Sequence, residues 1–328
     1  MENEEIKYAK LRGKTVVITG GTSGVGRAAA EAFALEGCNI VVAARGKEGL
    51  DKTVSLCHDL GVIALGVQTD VSDIEQVKHL AEQALQFNGR IDIWINNAGV
   101  MASGKFEDIP AETMDQVVKT NLLGYLHGAH TAIPIFKKQQ GGILINNVSI
   151  GGWMPAPYST AYSSTKFGIR GMVEGLQGEL SNEPNIHVVG LYPAIQRSTG
   201  NLHSAKYSGL DFKIPPFSVD PRALAAHMVK AAKNPKKSII TDGYAKVMKT
   251  MYGLFPNTII NTASAVLRMA MKRNADTNTD GNVLHASKDP MRIYGELALP
   301  IPSKKTKTVM MMVAGIAVGF LLTKSKKK

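Results

Sequence analysis

Short apolar runs alternate with longer amphipathic stretches between Lys14 and about Ile240. Several of these runs are apolar on consecutive residues, which is typical of strands that are covered on both faces. Regular strand–helix alternation with short connections predicts an α/β fold, with a doubly wound parallel sheet of about seven strands and helices on both faces. The predicted strands are TVVIT, NIVVAA, VIALGV, IDIWIN, GILINN, IHVVGLY and KSIIT, and the predicted helices cover about 24–36, 47–60, 73–87, 111–138, 160–182 and 220–233.

The pattern changes beyond residue 245. The stretch 256–274 again predicts a helix, 275–290 is polar and rich in turn residues, and LALPIPSKK is a linker that contains proline. We therefore expect an α/β domain over 1–245, a helical C-terminal extension and linker over 246–303, and a hydrophobic tail helix over 304–328.

Within this tail, residues 308–323 are uncharged, mostly apolar and flanked by lysines. These sixteen residues would make a helix of roughly 24 Å. That is slightly short of the ~20 residues that span a bilayer, but snorkelling lysine side chains can supply the difference. The tail therefore predicts a single-pass C-terminal membrane anchor with membrane lipid as a partner; a helix lying in the interface and a packing helix are the alternatives. Because the N-terminus MENEEIKYAK has no apolar signal segment, we expect the folded domain in the cytoplasm.

The charge of the chain is concentrated in the same tail. The net charge is +11, and residues 304–328 contain seven lysines and no acid, so subtracting seven from +11 leaves +4 for residues 1–303. A charge excess that is confined to a tail does not indicate a nucleic-acid-binding face. The two cysteines, Cys38 and Cys57, have no metal-ligand spacing and read as reduced thiols, so we predict no metal and no nucleic acid.

The first predicted strand runs into the glycine-rich turn TGGTSGVGR, residues 19–27. A strand, a tight glycine turn and a helix place backbone N–H groups and a helix N-terminus against a phosphate. Glycine is required where a side chain would block the phosphate or force an unfavourable φ. The residues of this turn that we assign to cofactor binding are Gly20, Thr22, Ser23, Gly24, Val25 and Gly26.

The second predicted strand ends in VVAAR. Folds that select NAD usually place an acid there to bind the ribose 2′-hydroxyl, and Ala44 and Arg45 offer none. The Arg45 guanidinium can instead bind the additional 2′-phosphate of NADP. The alternative is a solvated arginine after a strand. We therefore predict NADP, with NADPH preferred and NAD as the second candidate.

The run YSSTK places Tyr162 and Lys166 four residues apart on a predicted helix, so that both side chains point the same way. A nearby ammonium favours the phenolate and lowers a tyrosine pKa. Such a pair suits proton transfer to a carbonyl that is being reduced, or from an alcohol that is being oxidised. Ser149, thirteen residues before Tyr162, follows a predicted strand. There it either caps the strand or holds a substrate oxygen.

The glycine turn, the run NNAG at 96–99, Ser149 and the Tyr162–Lys166 pair occur in an order and spacing that resemble the short-chain dehydrogenase/reductase family. The similarity is to its non-extended, single-domain type and covers about residues 10–245. It implies an NAD(P)-dependent oxidoreductase on a Rossmann-like fold. Tyr162 would be the acid/base, Lys166 its pKa modifier and a ligand of the nicotinamide ribose, and Ser149 would stabilise the substrate oxygen.

The resemblance also implies further site residues. Asn121 would support a proton-relay water, and the cofactor would be contacted by Asp70, Val71, Asn97, Ala98, Gly99, Pro193 and Ile195, besides Tyr162 and Lys166. One departure is that the Pro-Gly that usually follows the sixth strand of the family is Pro193-Ala194 here. Alanine lacks the backbone freedom of glycine at positive φ.

Two loops, 151–158 and 195–217, are the expected substrate-binding regions of such a protein. The first, together with two nearby residues, offers the apolar side chains of Trp153, Met154, Pro155, Tyr158, Met101 and Phe106. An apolar pocket favours an apolar carbonyl or alcohol as substrate, and ordinary packing is the alternative. The resemblance further implies a homo-oligomer, a dimer or tetramer, formed through 111–138 and 160–182. A non-catalytic NADP-binding membrane scaffold or redox sensor is the alternative function.

Overall fold

A seven-stranded parallel sheet forms the centre of the protein. The computed structural model describes residues 11–201, 203–210, 214–215, 218–271, 278–287 and 291–295. The strands of the sheet are β1 (Thr15–Thr19), β2 (Asn39–Ala44), β3 (Ala64–Gln68), β4 (Ile93–Asn96), β6 (Gly142–Asn147), β7 (Ile186–Tyr192) and β9 (Ser238–Ile240), and the two short strands β5 (Ala102–Ser103) and β8 (Ala205–Lys206) pair with each other above it.

The helices follow the sequence pattern closely, with two differences. The predicted helix over 111–138 is interrupted by a π-helical turn at Lys119–Leu123, and a helix that the pattern did not predict follows β9. The helices are α1 (Gly24–Leu35), α2 (Lys47–Asp59), α3 (Ile74–Asn88), α4 (Ala111–Val118), α5 (Gly124–Gln139), α6 (Thr160–Glu179), α7 (Pro221–Lys233), α8 (Gly243–Leu254) and α9 (Pro256–Ala270).

The sheet buries a separate apolar cluster on each face. Val16 and Ile18 of β1 pack on one side with α1, α2 and α7, whereas Val17 packs on the other side with α3, α5 and α6. Successive side chains of a strand point to opposite faces, which is why the predicted strands are apolar on consecutive residues. The predicted α/β fold with a doubly wound, Rossmann-like sheet is confirmed.

The strand order β3-β2-β1-β4-β6-β7-β9 creates a crevice at one edge of the sheet. The chain builds outward from β1 through β2 and β3, and then returns to place β4 on the other side of β1. In sheets of this kind, ligands bind outside the carboxyl ends of the strands where the order reverses. The glycine turn after β1 and the NNAG run at the end of β4 therefore face each other across the same crevice.

The predicted domain boundary at residue 245 falls inside α8, where Ala245 is fully buried beside Ile150 and Ala194. The division into 1–245, 246–303 and 304–328 stays a prediction.

Within the described ranges, no helix is long and apolar enough to cross a membrane. The twenty-residue α6, for example, carries Lys166, Arg170, Glu174 and Glu179, and such charges are costly in a bilayer core. This finding contradicts the predicted location at a membrane, and the lipid partner was inferred from the same tail. Residues 308–323, on which that prediction depended, lie outside the described residues.

Candidate active site

A cavity of about 770 Å³ lies at the carboxyl ends of the strands. Almost every residue that the sequence assigned to cofactor binding or catalysis lines this cavity, and Asn121 is the exception. The assigned residues that line it are Gly20, Thr22, Ser23, Gly24, Val25, Gly26, Arg45, Asp70, Val71, Asn97, Ala98, Gly99, Ser149, Tyr162, Lys166, Pro193 and Ile195.

The glycine turn forms one wall of the cavity and requires its glycines. Gly20 and Gly24 have φ of +64° and +52°, and a Cβ on Gly20 would lie 2.8 Å from the Cα of Ala98. A Cβ on Gly26 would overlap the carbonyl of Gly20. α1 starts at Gly24 with no side-chain hydrogen bond from its N-cap Ser23 and no acid in its first turn. A helix N-terminus that has no side-chain cap and follows a glycine turn fits the diphosphate of a dinucleotide cofactor.

Hydrogen bonds between side chains hold the strand ends at this wall. Thr19 Oγ1 accepts the N–H of Asn97 at 3.0 Å, and Asn97 Nδ2 donates to the carbonyls of Thr19 and Gly20 at 3.1 and 3.2 Å. Asn147, at the end of β6, donates to Asn97 Oδ1 at 3.0 Å. β1, β4 and β6 are thus tied together, which fixes Ala98 and Gly99 opposite the glycine turn.

Ser149 occupies a strained position two residues after the end of β6. Its φ of 91° and ψ of 156° lie in a backbone region that is essentially restricted to glycine. Its Oγ accepts the N–H of Gly151 at 3.1 Å and also makes a hydrogen bond with Tyr162. Strain of this kind costs on the order of 1–3 kcal/mol and is concentrated at functional sites.

Tyr162 and Lys166 both lie on α6, in the order that the sequence predicted. Lys166 Nζ is 5.5 Å from the centre of the Tyr162 ring and 5.2 Å from that of Tyr125, and it donates to the carbonyl of Asn147 at 3.3 Å. Tyr162 is enclosed by the protein and is partly exposed to the cavity. The pair therefore lies at the cavity wall beside Ser149.

The electrostatics of this pair differ from the expectation. The sequence predicted an ammonium that lowers the tyrosine pKa, whereas burial raises the pKa of Tyr162 and the hydrogen bond with Ser149 lowers it by less. Burial also lowers the pKa of Lys166 to about 7. Removal from water favours the neutral form of both groups. At neutral pH, Tyr162 is therefore a phenol, and burial favours the neutral amine of Lys166.

Asn121 lies behind the cavity wall, in the π-helical turn. Its side chain accepts the N–H of Val100 at 2.8 Å and donates to the carbonyl of Val100 at 2.9 Å and to Thr165 at 3.2 Å. Asn121 thus fastens the segment after β4 to α6, next to Lys166. Its role in a proton relay stays a prediction.

Arg45 forms hydrogen bonds with a C-terminal segment of the protein that the sequence did not indicate as a partner. Its guanidinium donates to the carbonyls of Val283 and His285 at 3.1 Å each, and to that of Asn282. Burial lowers its pKa, and the charge of Asp70 acts in the opposite direction. The carbonyls belong to residues 278–287 and 291–295, which we call the strap. Four strap residues line the cavity: Asn282, Ala286, Ser287 and Met291.

The substrate end of the cavity differs in part from the prediction. Met101, Met154 and Pro155 line the cavity, whereas Trp153, Tyr158 and Phe106 do not. Trp153 lies between Arg170 and Lys249, with their cationic groups 3.4 and 3.5 Å from its ring centre, and Phe106 is 58% exposed. The apolar residues that sequence reasoning missed include Met248 of α8 and Ile259, Ile260, Ala263, Val266 and Leu267 of α9.

Alanine is accommodated at the one position where the chain departs from the family pattern. Ala194 is buried, does not have positive φ, and donates its N–H to Asp242 Oδ2 at 3.0 Å. Pro193 and Ile195 on either side of it line the cavity. The substitution of glycine by alanine therefore introduces no backbone strain.

Comparisons with known proteins show the family to which the chain belongs. The sequence profile of the family "short chain dehydrogenase" matches residues 14–206. The chain is similar to the uncharacterized oxidoreductase YxnA of Bacillus subtilis strain 168, with 31% identity over 77% of this chain and 72% of the relative. An uncharacterized oxidoreductase of Staphylococcus aureus strain USA300 is 33% identical over 69% of this chain and 94% of its own length.

A solved structure is also similar: the alcohol dehydrogenase of the archaeon Thermococcus sibiricus, complexed with 5-hydroxy-NADP. Its TM-score is 0.60 and its identity 26%, over 70% of this chain and 94% of the archaeal chain. The profile match covers more than half of the chain and includes the glycine turn, Ser149, Tyr162 and Lys166. The chain belongs to the short-chain dehydrogenase/reductase family and is an oxidoreductase.

Proposed function

We propose that this protein interconverts a carbonyl and an alcohol on an apolar small molecule, with NADP as cofactor and reduction by NADPH as the preferred direction. The observation that carries the proposal is the enclosed phenol of Tyr162. It is hydrogen-bonded to Ser149 in the same cavity as a glycine turn that fits a diphosphate.

NADPH, when bound, supplies the hydride. Ser149 and Tyr162 bind the substrate oxygen and stabilise the negative charge that develops on it. Tyr162 donates its phenolic proton to that oxygen, and its raised pKa keeps the proton in place until then. The ammonium form of Lys166, near the Tyr162 ring, stabilises the phenolate that remains. In the reverse direction, the phenolate accepts the proton of the alcohol.

NADP is proposed over NAD because no acid follows β2 and because Arg45 borders the cavity. A guanidinium carries more N–H donors than the three bonds to the strap use, so donors remain for a phosphate. No carboxylate of the described chain forms an ion pair with Arg45. A 2′-phosphate would compensate this partly buried charge. The archaeal relative complexed with 5-hydroxy-NADP is consistent with this choice.

The remaining cofactor contacts follow the cavity lining. Asp70 and Val71 would border the adenine, Lys166 would bind the nicotinamide ribose, and Pro193 and Ile195 the carboxamide. Asn97, Ala98 and Gly99 would form the surface on which the cofactor lies. Asn121 acts through Val100 as a positioning residue, beside its predicted relay role.

An apolar substrate is favoured by the lining at the opposite end of the cavity. Met101, Met154 and Pro155 meet the apolar face of α9, which includes Ile260 and Ala263. Few polar groups line this end of the cavity, which suits a substrate whose only polar group is the reacting oxygen. Apolar walls with a small number of placed polar groups are typical of sites that bind such molecules.

A homo-oligomer, a dimer or tetramer, is proposed through α4 to α6. Leu123, Leu126 and Phe167 are exposed large apolar residues in this region. Gly171 and Gly175, on the same face of α6 as Phe167, have no neighbour within 4 Å of an added Cβ. Exposed apolar side chains beside a flat glycine surface suit close helix packing between two copies.

The test is NADPH oxidation by the purified protein across a panel of apolar ketones, aldehydes and quinones. Tyr162→Phe should lower kcat by about 10²–10⁴-fold, because it removes the proton donor. Tyr158→Phe is the matched control, since Tyr158 does not line the cavity. Full activity of Tyr162→Phe would contradict the mechanism. Tight NADPH binding without turnover on any carbonyl would favour a non-catalytic NADP-binding protein.

A further inference from the structure

The strap is fastened to the protein at both of its ends. At one end, Lys206 and Thr279 exchange backbone hydrogen bonds of 2.8 and 2.9 Å, and the Val283 side chain is fully buried in the cluster around β5 and β8. At the other end, Tyr294 forms an antiparallel bridge with Ser198, and Ile293 is buried in the core cluster of α1 and α7.

Between these ends, the strap contacts the elements that would bind the nucleotide. The N–H of Gly24, the first residue of α1, donates to the carbonyl of Arg292 at 3.0 Å, and the Arg27 side chain donates to the carbonyl of Met291. Arg45 is held by the three carbonyls of Asn282, Val283 and His285. The described residues of the strap therefore contact both the end of β2 and the glycine turn, at the nucleotide end of the cavity.

We propose that the strap is the outer wall of the nucleotide site, and that it orients Arg45 toward the 2′-phosphate and retains the cofactor. This inference rests on the proposed binding of NADP. A nucleotide bound beside the glycine turn and Arg45 would contact the strap residues that line the cavity, so movement of the strap should affect its exchange. Three carbonyls fix the plane of the Arg45 guanidinium, so its remaining donors are oriented before the ligand arrives.

A polar atom of the strap also lacks a partner. The Oδ1 of Asn282 is buried and accepts no hydrogen bond from the described residues, although Asn282 lines the cavity. A buried acceptor without a donor is unfavourable, because the loss of its hydrogen bonds to water is not compensated. This uncompensated acceptor makes the described position of the strap less stable than a fully hydrogen-bonded one would be.

The strap has few buried anchors, so it can open without unfolding the domain. Val283 and Ile293 are its buried apolar side chains among the described residues. Segments with few buried contacts and many exposed hydrogen bonds open locally at a lower free energy than the core. The strap should therefore limit both the entry and the release of the cofactor.

A disulfide can test this directly. A Cβ on Gly46 would lie 3.8 Å from the Cβ of Ala286, which is about the usual separation in a disulfide. Gly46 has φ of −100°, which any residue adopts. The native Cys38 and Cys57 are fully buried, and burial raises their pKa to about 12 and about 11. They should therefore remain unreactive thiols.

The experiment uses the full chain with Gly46→Cys and Ala286→Cys, and NADPH fluorescence in a stopped-flow instrument. Oxidation should slow both association and dissociation of NADPH by about tenfold or more, because it removes the open state of the strap. Reduction should restore both rates, so the same protein serves as its own control. Association and dissociation rates of NADPH that are identical before and after oxidation would overturn the proposed role of the strap.

A second variant loosens the strap. Gly281 has φ of +53°, and a Cβ there would overlap the carbonyl of His203. Gly281→Ala should therefore speed NADPH release and reduce the preference of the protein for NADPH over NADH. Gly61→Ala is the control, because Gly61 has φ of +83° but nothing within 4 Å of an added Cβ. Equal release rates and equal preference in both variants would contradict the proposal.

The two proposals fail in different ways. If no variant and no wild-type protein binds NADPH, then the proposed cofactor is wrong and the strap proposal falls with it. If wild-type protein binds NADPH but the disulfide and Gly281→Ala leave the binding and release rates unchanged, then the proposed cofactor is retained and only the proposed role of the strap is refuted.

Discussion

The two sides of the cavity differ in what holds them together. On the side of the strand ends, particular side chains and glycines hold the wall in place. Thr19, Asn97 and Asn147 form a chain of hydrogen bonds, and Gly20 has a φ that favours glycine. On the opposite side, backbone carbonyls of the strap hold Arg45, and α9 presents an apolar face.

This difference matters for how the two sides tolerate change. A site built from particular side chains loses its function when one of them is replaced. A wall built from carbonyls and generic apolar residues keeps its shape through most substitutions, and its variation adjusts cofactor exchange and substrate choice. We therefore expect mutations on the first side to affect the chemistry strongly, and those on the second side to affect binding moderately.

Ser149 should show the largest effect among these changes. Ser149→Ala should lower kcat/KM by about 10²–10³-fold, because it removes a hydrogen bond to the developing charge on the substrate oxygen. Ser149→Gly should lose as much activity, yet its free energy of unfolding should exceed that of Ser149→Ala by about 1–3 kcal/mol, because glycine relieves the strain at φ of 91°.

Steady-state kinetics and urea unfolding of the two variants check this prediction. Equal stability of the two would mean that the backbone at Ser149 is not strained. Full activity of Ser149→Ala would remove Ser149 from the mechanism and weaken the contrast between the two sides of the cavity.

Lys166 should make the stability of the cofactor-free protein depend on pH. Its pKa falls from 10.5 to about 7 on folding, so between these pH values the unfolded chain binds a proton that the folded protein does not. Stability therefore rises with pH across this window and is lowest below pH 7. Relative to Lys166→Met, the free energy of unfolding should rise by on the order of 4 kcal/mol from pH 6.5 to pH 10.

Urea unfolding of both proteins across this range measures the effect, because other titrating groups cancel in the difference. A difference that does not vary with pH would mean that the Lys166 ammonium is not disfavoured by burial. The same variant should bind NADPH more weakly, since Lys166 is proposed to bind the nicotinamide ribose.

The same division separates the features that the sequence predicts from those that it does not. β1, β2, β6 and β7 begin and end where the apolar runs predict, because consecutive apolar residues encode a strand that is covered on both faces. The glycine turn and the Tyr162–Lys166 pair were predictable because their chemistry restricts the residue types at fixed spacing.

Other features lacked such a signal. The π-helical turn interrupts a continuous helical pattern, and its Asn121 is bound to Val100, a long-range contact that the local pattern does not contain. The strap holds Arg45 through carbonyls, which every residue has. α8 did have a signal, because the Asp242 carboxylate caps it by accepting the N–H of Ala245 at 2.8 Å.

Arg45 joins the two sides and should show an intermediate effect. Arg45→Ala should weaken NADPH binding by about 10–100-fold, which corresponds to losing charge-assisted hydrogen bonds worth roughly 1.5–3 kcal/mol. NADH binding should weaken less, since NADH has no 2′-phosphate. Fluorescence titration with both cofactors measures the two affinities. An equal loss for both would mean that Arg45 acts only by holding the strap.

The smallest effect should come from α9. Ile260→Ala removes an apolar side chain from the cavity wall and should raise KM for bulky apolar substrates by about 3–10-fold, which corresponds to losing roughly 0.7–1.4 kcal/mol of apolar contact. Met269→Ala is the matched control, since Met269 lies on the same helix but is 79% exposed and does not line the cavity. NADPH affinity should not change in either variant. An equal change of KM in both variants, or none in Ile260→Ala, would mean that α9 does not contact the substrate, and the second wall would then consist of the strap alone.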